Sequence, residues 1–492
     1  MAATGIDRLP EELLLHVLSY LDSLPPSETK QSYEPDLQTT KSHATDLKAA
    51  SLVSRRWRRI ILPTLFTKSQ LCLDAKEWPP HWASCTVCTP RALGGLFSGQ
   101  TDRREDHTCV DRYHEDMFED AFRPRSPPHT SRKSEAFANG AHDSQSSAFS
   151  KWMPIFYHVL RDYLDFIVEH ELASSIESII VLTSQTLLQK LDRFPHRAAP
   201  DRDMRYRCAA AFWQHMLSVV DPARIAIIAP PTEMACLTNC AIDTISDWAF
   251  SDMHLHMLEL RQESRPRHSS RLCDPVEYRK LDYSPLRYPG LARSSLLNLR
   301  DWHSIKVNEG SFLKAYGTYE FFEHGPPSLV YSIKDCVSPR PSYGIGLRRI
   351  SNTPLASLRS FTYTAIFPFA GHLDFRELIP QLEVLDLQLA PGAESSILES
   401  KDRIGKADMH HCWSELMSTY RSLAFLLNTF SISASNCPKL KRFVCRDCRI
   451  PGLQEELDDI FMPLCLPVWA EYARGEFQRL RLDCNVVGGD SG

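Results

Sequence analysis

The sequence has no excess of positive charge, few glycines and no long apolar run. Lysine and arginine total 56 against 61 aspartates and glutamates, a formal net charge of −5. Without a global basic field, we expect binding neither to nucleic acid nor to an anionic membrane surface. The 19 glycines are outnumbered by 33 prolines, which predicts many loops and breaks. No segment approaches the roughly 20 apolar residues that a bilayer span needs, so we expect no membrane insertion.

We also expect no secretory leader, because the first residues contain no basic stretch followed by an apolar core and a small-residue cleavage site. The 15 cysteines are an odd number scattered along the chain, which favours a reducing compartment. We therefore expect a protein of the cytoplasm, the nucleus or both. At roughly 100 to 200 residues per domain, 492 residues allow two to four domains or one large solenoid-like body.

The first predicted helix lies within residues 6–21. Pro10 stands at a first helical position, and Glu11 and Glu12 follow in the first turn, where carboxylates complement the helix dipole. At 100° per residue, the expected core stripe comprises Leu14, Val17, Leu18 and Leu21. Leu13 and Leu15 lie 100° to either side of Leu14. The apolar surface is therefore too wide for one buried face.

The second predicted helix runs from Thr45 or Asp46 to a break at Pro63. Trp57 lies at the centre of its apolar stripe, flanked by arginines. The other members of the stripe are Ala50, Val53, Ile60 and Ile61. Residues 22–45 between the helices are polar, carry three prolines and have no apolar period, which predicts an exposed insertion.

Without the insertion, the helical unit has only about 40 residues, the size below which a domain rarely folds alone. The unit must therefore pack against another part of the chain or against a partner. Its wide leucine face favours a helical partner, with Trp57 as a buried anchor. The alternative is that both helices dock on the rest of this chain.

These residues resemble the F-box. The resemblance rests on LPEELL at 9–14, Leu47, LVSRRWRR at 52–59 and PTLF at 63–66. It covers about 42 of the 492 residues. The longer chain, including TYTAIFPFAGHLDF at 362–375 and LCLPVWAEY at 464–472, is similar to F-box proteins of filamentous fungi. The insertion departs from the family, which usually joins these helices by a short loop, but a flexible loop that points outward costs little.

The resemblance implies that the helices bind the Skp adaptor, and through it a cullin, in a Skp-cullin-F-box ubiquitin ligase. The remaining chain would select a protein substrate that the sequence does not identify. The implied adaptor contacts are Leu9, Pro10, Leu13, Leu14, Leu18, Val53 and Trp57. Such a receptor acts by proximity, so we expect no catalytic residue, no metal and no cofactor. The alternative is an F-box scaffold that acts outside a ligase.

The region after the helices divides into a linker at 98–150 and a body at 151–486, with the F-box unit assigned to 5–70. The linker is rich in Ser, Arg, Asp, His and Pro, which predicts disorder. Within the body, apolar periodicity predicts helices at 152–172, 205–220 and 412–430.

Short β-like runs share apolar residues at i, i+3 and i+5, which resembles the strand of a leucine-rich repeat. The runs begin at Ile176, Trp302, Leu358, Leu382, Leu440 and Phe477. Their spacing is irregular, and some of the six matches are expected to be chance. We predict an α+β or α/β protein, with an all-α F-box followed by an irregular leucine-rich-repeat-like α/β body carrying disordered insertions. Such a body offers a long surface for gripping a protein.

Two cysteine groups are candidate chemical sites. Cys85 and Cys88, with His107, Cys109 and His114, form a possible zinc set, although their spacing departs from the common finger patterns. That set is the only motive for a third hypothesis, a zinc-dependent enzyme. Cys445 and Cys448 form a second CxxC pair, which the repeat pattern already explains as a strand residue and a turn residue. No phosphate loop, nucleophile elbow or HExxH helix occurs.

Overall fold

The computed structural model describes residues 8–21, 34–36, 44–74, 159–184, 199–240, 242, 255–263, 295–317, 325–337, 355–393, 395–432, 439–465 and 468–480. Its α-helices lie at Glu11–Ser19 (α1), Thr45–Ser51 (α2), Arg55–Phe66 (α3), 159–169 (α4), Ala199–Val219 (α5), Pro231–Thr238 (α6), Leu329–Val337 (α7), Lys401–Ile404 (α8), Met409–Ile432 (α9) and Gln454–Phe461 (α10). Short 3-10 helices lie at Ala173–Ser175, Leu296–Asn298, Leu313–Gly317, Ile397–Glu399, Arg446–Arg449, Pro451–Leu453 and Met462–Cys465.

Ten strands form one sheet. They lie at Lys68–Cys72 (β1), Ser178–Leu182 (β2), Arg224–Ala229 (β3), His256–Arg261 (β4), Ser304–Ser311 (β5), Ser360–Ile366 (β6), Val384–Gln388 (β7), Arg442–Cys445 (β8), Trp469–Ala473 (β9) and Glu476–Arg479 (β10). Spatial order follows chain order from β1 to β8, and β10 then lies between β8 and β9. The body is therefore a mixed α/β structure built by adding strands at one edge.

Strand direction is mostly parallel. β1 to β3 are parallel, and β5 to β8 are parallel. β4 runs antiparallel to both of its neighbours, and β10 runs antiparallel to both β8 and β9. A simple tandem array of parallel repeats does not account for β4, so the leucine-rich-repeat-like character of the body stays a prediction.

One row of side chains across the sheet carries much of the core. Paired register joins Ile179, Ile225, Leu260, Ile305, Phe361, Leu385, Phe443 and Phe477. Every member of this row is 3% exposed or less. Because alternate residues of a strand point to opposite faces, the row places one face of β2 to β8 and of β10 in the core.

The predicted spacing motif marks this row. In the motifs that begin at Ile176, Trp302, Leu358, Leu382 and Leu440, the first residue precedes a strand by two positions. Their i+3 residues all fall in the buried row. The motif at Phe477 differs, because it lies in the antiparallel strand β10, Leu480 is 47% exposed and residue 482 lies outside the described residues. The helices predicted at 205–220 and 412–430 are present as parts of α5 and α9. The helix predicted at 152–172 is described only over 159–169, as α4, because 152–158 lie outside the described residues.

The second predicted helix is two helices. Ser54 has extended backbone angles, and its hydroxyl accepts a hydrogen bond of 3.2 Å from the Trp57 amide. That N-cap begins a new helix, so the chain breaks at 52–54. The predicted break at Pro63 is wrong, because α3 continues to Phe66. A proline removes a single helical donor, and this loss is outweighed because Leu62 and Phe66 pack against the main core.

Two predicted boundaries also change. Strand β1 pairs in parallel with β2, so the sheet of the body begins at residue 68 and not at residue 151. Glu34 and Pro35 of the predicted exposed insertion are half-buried, whereas 22–33 and 37–43 lie outside the described residues. Glu34 is half-buried and forms an ion pair with Arg403 beside the body. A Cβ placed at Gly310, at the end of β5, would lie 3.6 Å from the Pro35 ring.

Several other predictions fall outside the described residues. These are the linker at 98–150 and the zinc set of Cys85, Cys88, His107, Cys109 and His114. Within the ranges given above, no helix combines the length and the apolar character needed to cross a bilayer.

Candidate functional site

The three N-terminal helices form a small core of their own. Leu14 and Leu18 of α1 are 0% and 3% exposed. They pack with Leu47 of α2 and Ile61 of α3, and Trp57 lies partly buried against the same cluster. The i and i+4 spacing of the two leucines places them on one face of α1. The helical unit therefore closes part of its apolar surface without help.

A second apolar stripe on α1 and the turn that follows it remains open. Leu13, Val17 and Leu21 follow one another at intervals of four residues and are 52%, 47% and 38% exposed. Tyr20, beside them, is 76% exposed. Leu15 is 41% exposed but lies on the opposite flank of the buried face. Large apolar side chains that recur at helical spacing on a surface mark a protein contact site.

The break between α2 and α3 presents two further apolar side chains. Leu52 is 77% exposed and Val53 is 64% exposed. Both lie just before the Ser54 cap, where the chain leaves one helix and enters the next. The cap thus fixes the backbone that carries them.

Arginines tie the start of α1 to α3. Arg56 donates a hydrogen bond of 2.6 Å to the Leu9 carbonyl. Arg59 forms an ion pair with Glu11 in the first turn of α1. These contacts hold Leu9, Pro10 and the N-terminal end of the open stripe against the third helix.

The helical unit is joined to the body through a short connection. Thr67 alone separates α3 from β1. The Phe66 ring stacks on Phe166 of α4 with centroids 5.1 Å apart. Because α3 runs almost directly into the sheet and packs on it, the open apolar surface has a defined place relative to the body.

The structure separates the predicted adaptor contacts into two groups. Leu13, Pro10 and Val53 are exposed, and Leu9 is half-buried. Leu14 and Leu18 fill the internal core, and Trp57 packs against it. We therefore assign Leu14 and Leu18 to the fold of the unit and no longer to its contact surface.

Sequence reasoning left out four exposed apolar residues near these contacts. They are Val17, Tyr20, Leu21 and Leu52. The signal for the two on the open stripe was their spacing of four and eight residues from Leu13. The sequence instead predicts that Val17 and Leu21 lie in the core stripe. Helical angles show which residues share a face, but they do not show which part of that face a second helix covers.

A buried carboxylate lies at the end of β5. Glu309 accepts hydrogen bonds from the Ser328 hydroxyl at 2.8 Å, the Leu329 amide at 2.7 Å and the Tyr363 hydroxyl at 2.6 Å. Burial, the strongest influence, works to raise the pKa of Glu309. The hydrogen bond of His372 first, then the charges of His256 and His372, hold that pKa below the ordinary value. Both carboxylate oxygens of Glu309 accept hydrogen bonds from donors of this chain. Glu309 therefore holds the start of α7 against the sheet.

The second CxxC pair lies in the interior. Cys445 and Cys448 are free thiols, 0% and 1% exposed. Burial raises the pKa of the Cys445 thiol well above its ordinary value. A redox pair needs a lowered pKa and access to solvent, so packing is the better account of these cysteines. Across the described ranges, no group of three or more His, Cys, Asp or Glu side chains is arranged to hold a metal ion.

Comparison with known families bears on the same helices. Residues 6–71 match the family model described as F-box-like. The F-box-like domain thus spans α1, α2, α3 and most of β1. It contains the open stripe, the exposed break and the predicted adaptor contacts. No curated protein and no solved structure matches the chain. The family match supports an F-box protein and does not extend beyond β1 into the body.

Proposed function

We propose that the protein is the substrate-recognition subunit of a Skp-cullin-F-box ubiquitin ligase. The observation that carries the proposal is an F-box-like domain that closes its own core yet leaves Leu13, Val17, Leu52 and Val53 exposed. F-box domains bind the Skp adaptor in general. An adaptor helix covering these side chains would bury apolar surface that the chain itself does not cover.

In this proposal the body, of irregular leucine-rich-repeat-like form, holds a protein substrate. Ubiquitin transfer is then accelerated by proximity, because the complex holds a substrate lysine near the charged carrier enzyme. The receptor itself contributes no catalytic side chain and no cofactor. We place its action in the cytoplasm, the nucleus or both, and its origin among filamentous fungi, as the sequence resemblance implies.

The test is recovery of the Skp adaptor with the purified chain, comparing the native protein with Leu13→Asp and Val53→Asp. We expect both substitutions to lower adaptor recovery at least tenfold, since a charge would be buried without a partner. These two are better probes than Trp57→Asp, because Trp57 also packs on the internal core.

Leu15→Asp is the matched control. It introduces the same charge on the same helix at a similarly exposed leucine, but on the opposite flank. Equal adaptor recovery with the native chain, Leu13→Asp and Val53→Asp would contradict the proposed contact. Adaptor binding with no ubiquitin transfer to any co-purified protein in a reconstituted reaction would instead favour the scaffold alternative.

A further inference from the structure

A groove lies on the body between helices α9 and α10. It encloses about 540 Å³. Its lining residues are Arg421, Ala424, Phe425 and Asn428 from α9, and Glu456, Asp459, Ile460 and Pro463 from α10 and the turn after it. Each set follows i, i+3, i+4 and i+7, so one face of each helix borders the groove. A groove between two helical faces is a common type of site that receives a helix or turn.

The two helices are held together beneath the groove. Tyr420 and Phe461 meet edge to face with ring centroids 5.8 Å apart, and Leu457 is fully buried. Those contacts belong to the main core and lie next in sequence to lining residues. The walls are therefore set by packing in the main core, to which Ala424 and Ile460 of the lining also contribute.

Apolar surface remains uncovered along the groove. Phe425 is 74% exposed, and Met462, beside Pro463, is 63% exposed. Ile460 is partly buried, and Ala424 is 9% exposed. A phenylalanine left this open beside an apolar floor is the kind of side chain that a partner covers.

The charges on the walls select the chemistry of that partner. Among the described residues, neither Glu456 nor Asp459 has an ion-pair partner, whereas the neighbouring Asp458 pairs with Arg474 at 2.8 Å. Residues 454–465 contain no lysine or arginine. The groove thus offers two exposed carboxylates against one guanidinium, that of Arg421. A positively charged occupant is favoured.

We propose that this groove binds an amphipathic segment of a protein substrate. Its apolar side chains would contact Phe425 and Ile460, and a lysine or arginine would lie beside Glu456 and Asp459. The identification of the occupant as a substrate rests on the proposed function of the chain. The preference of the groove for a basic, apolar segment does not depend on that function. The inference narrows the substrate class to proteins that display a basic, amphipathic helix or turn.

The experiment is selection of a random peptide library, displayed on phage, against the immobilised full-length chain. We expect the enriched peptides to carry net positive charge and apolar residues at helical spacing. The affinity of a labelled enriched peptide, measured by fluorescence anisotropy, should fall about fivefold to tenfold for the double variant Glu456→Lys/Asp459→Lys, because two exposed ion pairs are lost. Phe425→Ser should weaken binding at least as much.

Matched controls are Glu455→Lys, the same charge reversal on α10 outside the lining, and Tyr472→Ser, an exposed aromatic elsewhere. Circular dichroism checks that each variant is folded. Three results would overturn the proposal: no enrichment, enriched peptides that bind the groove variants and controls equally, or a chain that elutes as a dimer which Phe425→Ser dissociates. The adaptor plays no part in this measurement, so lost adaptor recovery with intact peptide binding would remove the ligase assignment alone.

Discussion

The F-box-like helices and the body treat apolar side chains differently. The helices bury Leu14 and Leu18 but leave Leu13, Val17 and Val53 open. The body lays its large residues in one continuous row across the sheet, none of them more than 3% exposed. A unit of about 40 residues has too little volume to cover its own surface. The small unit leaves apolar side chains open at its surface, whereas the large body collects most of its own in a continuous core.

The same contrast holds for charge. Ion pairs of the helices, such as Arg59 with Glu11, are exposed. The body buries Glu259 fully and surrounds it with Arg224, Arg261 and Lys306. Burial, the strongest influence, works to raise the pKa of Glu259, but the three cations hold it below the ordinary value. Only a large core can supply the several partners that a buried carboxylate needs.

The largest effect is expected where the body closes on itself. Phe361 lies in the buried row and is fully buried. We expect Phe361→Ala to lower the free energy of unfolding by about 3 to 5 kcal/mol, because it leaves a cavity between β5 and β7. Chemical denaturation followed by tryptophan fluorescence measures this. Tyr472→Ala, at an 81% exposed position, should change it by less than about 0.5 kcal/mol, and equal losses in both variants would contradict the assignment of the row as core.

Within the helices, adjacent leucines should separate by role. Leu14→Ala empties a site in the small core, and we expect a loss of about 2 to 3 kcal/mol, since a small unit can partly collapse around the gap. Leu13→Ala should leave stability within about 0.5 kcal/mol of the native value, because Leu13 is 52% exposed. Circular dichroism during thermal unfolding reports both. A larger loss for Leu13→Ala than for Leu14→Ala would mean that the two faces of α1 are assigned the wrong way round.

A glycine in the last hairpin should rank next. Gly475 has a φ of +70°, and a Cβ there would lie 2.3 Å from the Cys445 carbonyl oxygen. We expect Gly475→Ala to cost about 2 kcal/mol through backbone strain and displacement of β8. Gly452→Ala is the matched substitution, because nothing lies within 4 Å of its Cβ position. Indistinguishable denaturation midpoints for the two variants would rule out the close approach.

A pH-dependent effect should be confined to the body. Asp447 is fully buried and accepts hydrogen bonds of 2.8 Å from the Leu389 and Ala390 amides. Burial raises its pKa from 3.8 to about 7, although hydrogen bonds, that of Tyr420 first, oppose the rise. The folded state therefore binds the Asp447 proton more tightly than the unfolded state does. The stability that this proton contributes is complete below pH 3.8 and is lost as the pH rises to about 7.

The side chain in Asp447→Asn cannot ionise. The free energy of unfolding of this variant should therefore rise relative to that of the native chain as the pH increases toward 7, and the difference should stay constant above pH 7. Denaturation midpoints at several pH values between about 5 and 8 measure the difference. A stability difference that stays constant across this range would show that Asp447 does not titrate there.

The smallest effect concerns the contact between the two regions. Glu34 of the insertion pairs with Arg403, and both side chains are partly exposed. We expect a coupling of about 0.2 to 1 kcal/mol in a double-mutant cycle of Glu34→Ala and Arg403→Ala, as for other exposed pairs. The charge-swapped double variant should recover part of the loss of either single reversal. Strictly additive single losses would show that the insertion does not rely on this pair.

Much of the site could be predicted from the sequence, but only as a set of residues. The pattern at 9–14 and 52–59 led to the helices that match the F-box-like family, and the i, i+3, i+5 spacing found five strands of the sheet. Neither pattern contains the second chain segment against which a helix packs. Leu13 and Leu14 are adjacent leucines in one helix, and only the position of α2 and α3 makes one of them core and the other surface.

Some features of this protein follow from local chemistry, and others follow from tertiary packing. The amino-acid order by itself determined where the helices and most strands lie, because propensity, capping and apolar period act within a few residues. Tertiary structure alone decided that α3 continues through Pro63, that β1 joins the sheet, and that Glu34 reaches Arg403. Each of those outcomes depends on contacts between segments far apart in sequence, and the energy of such contacts is absent from any local pattern.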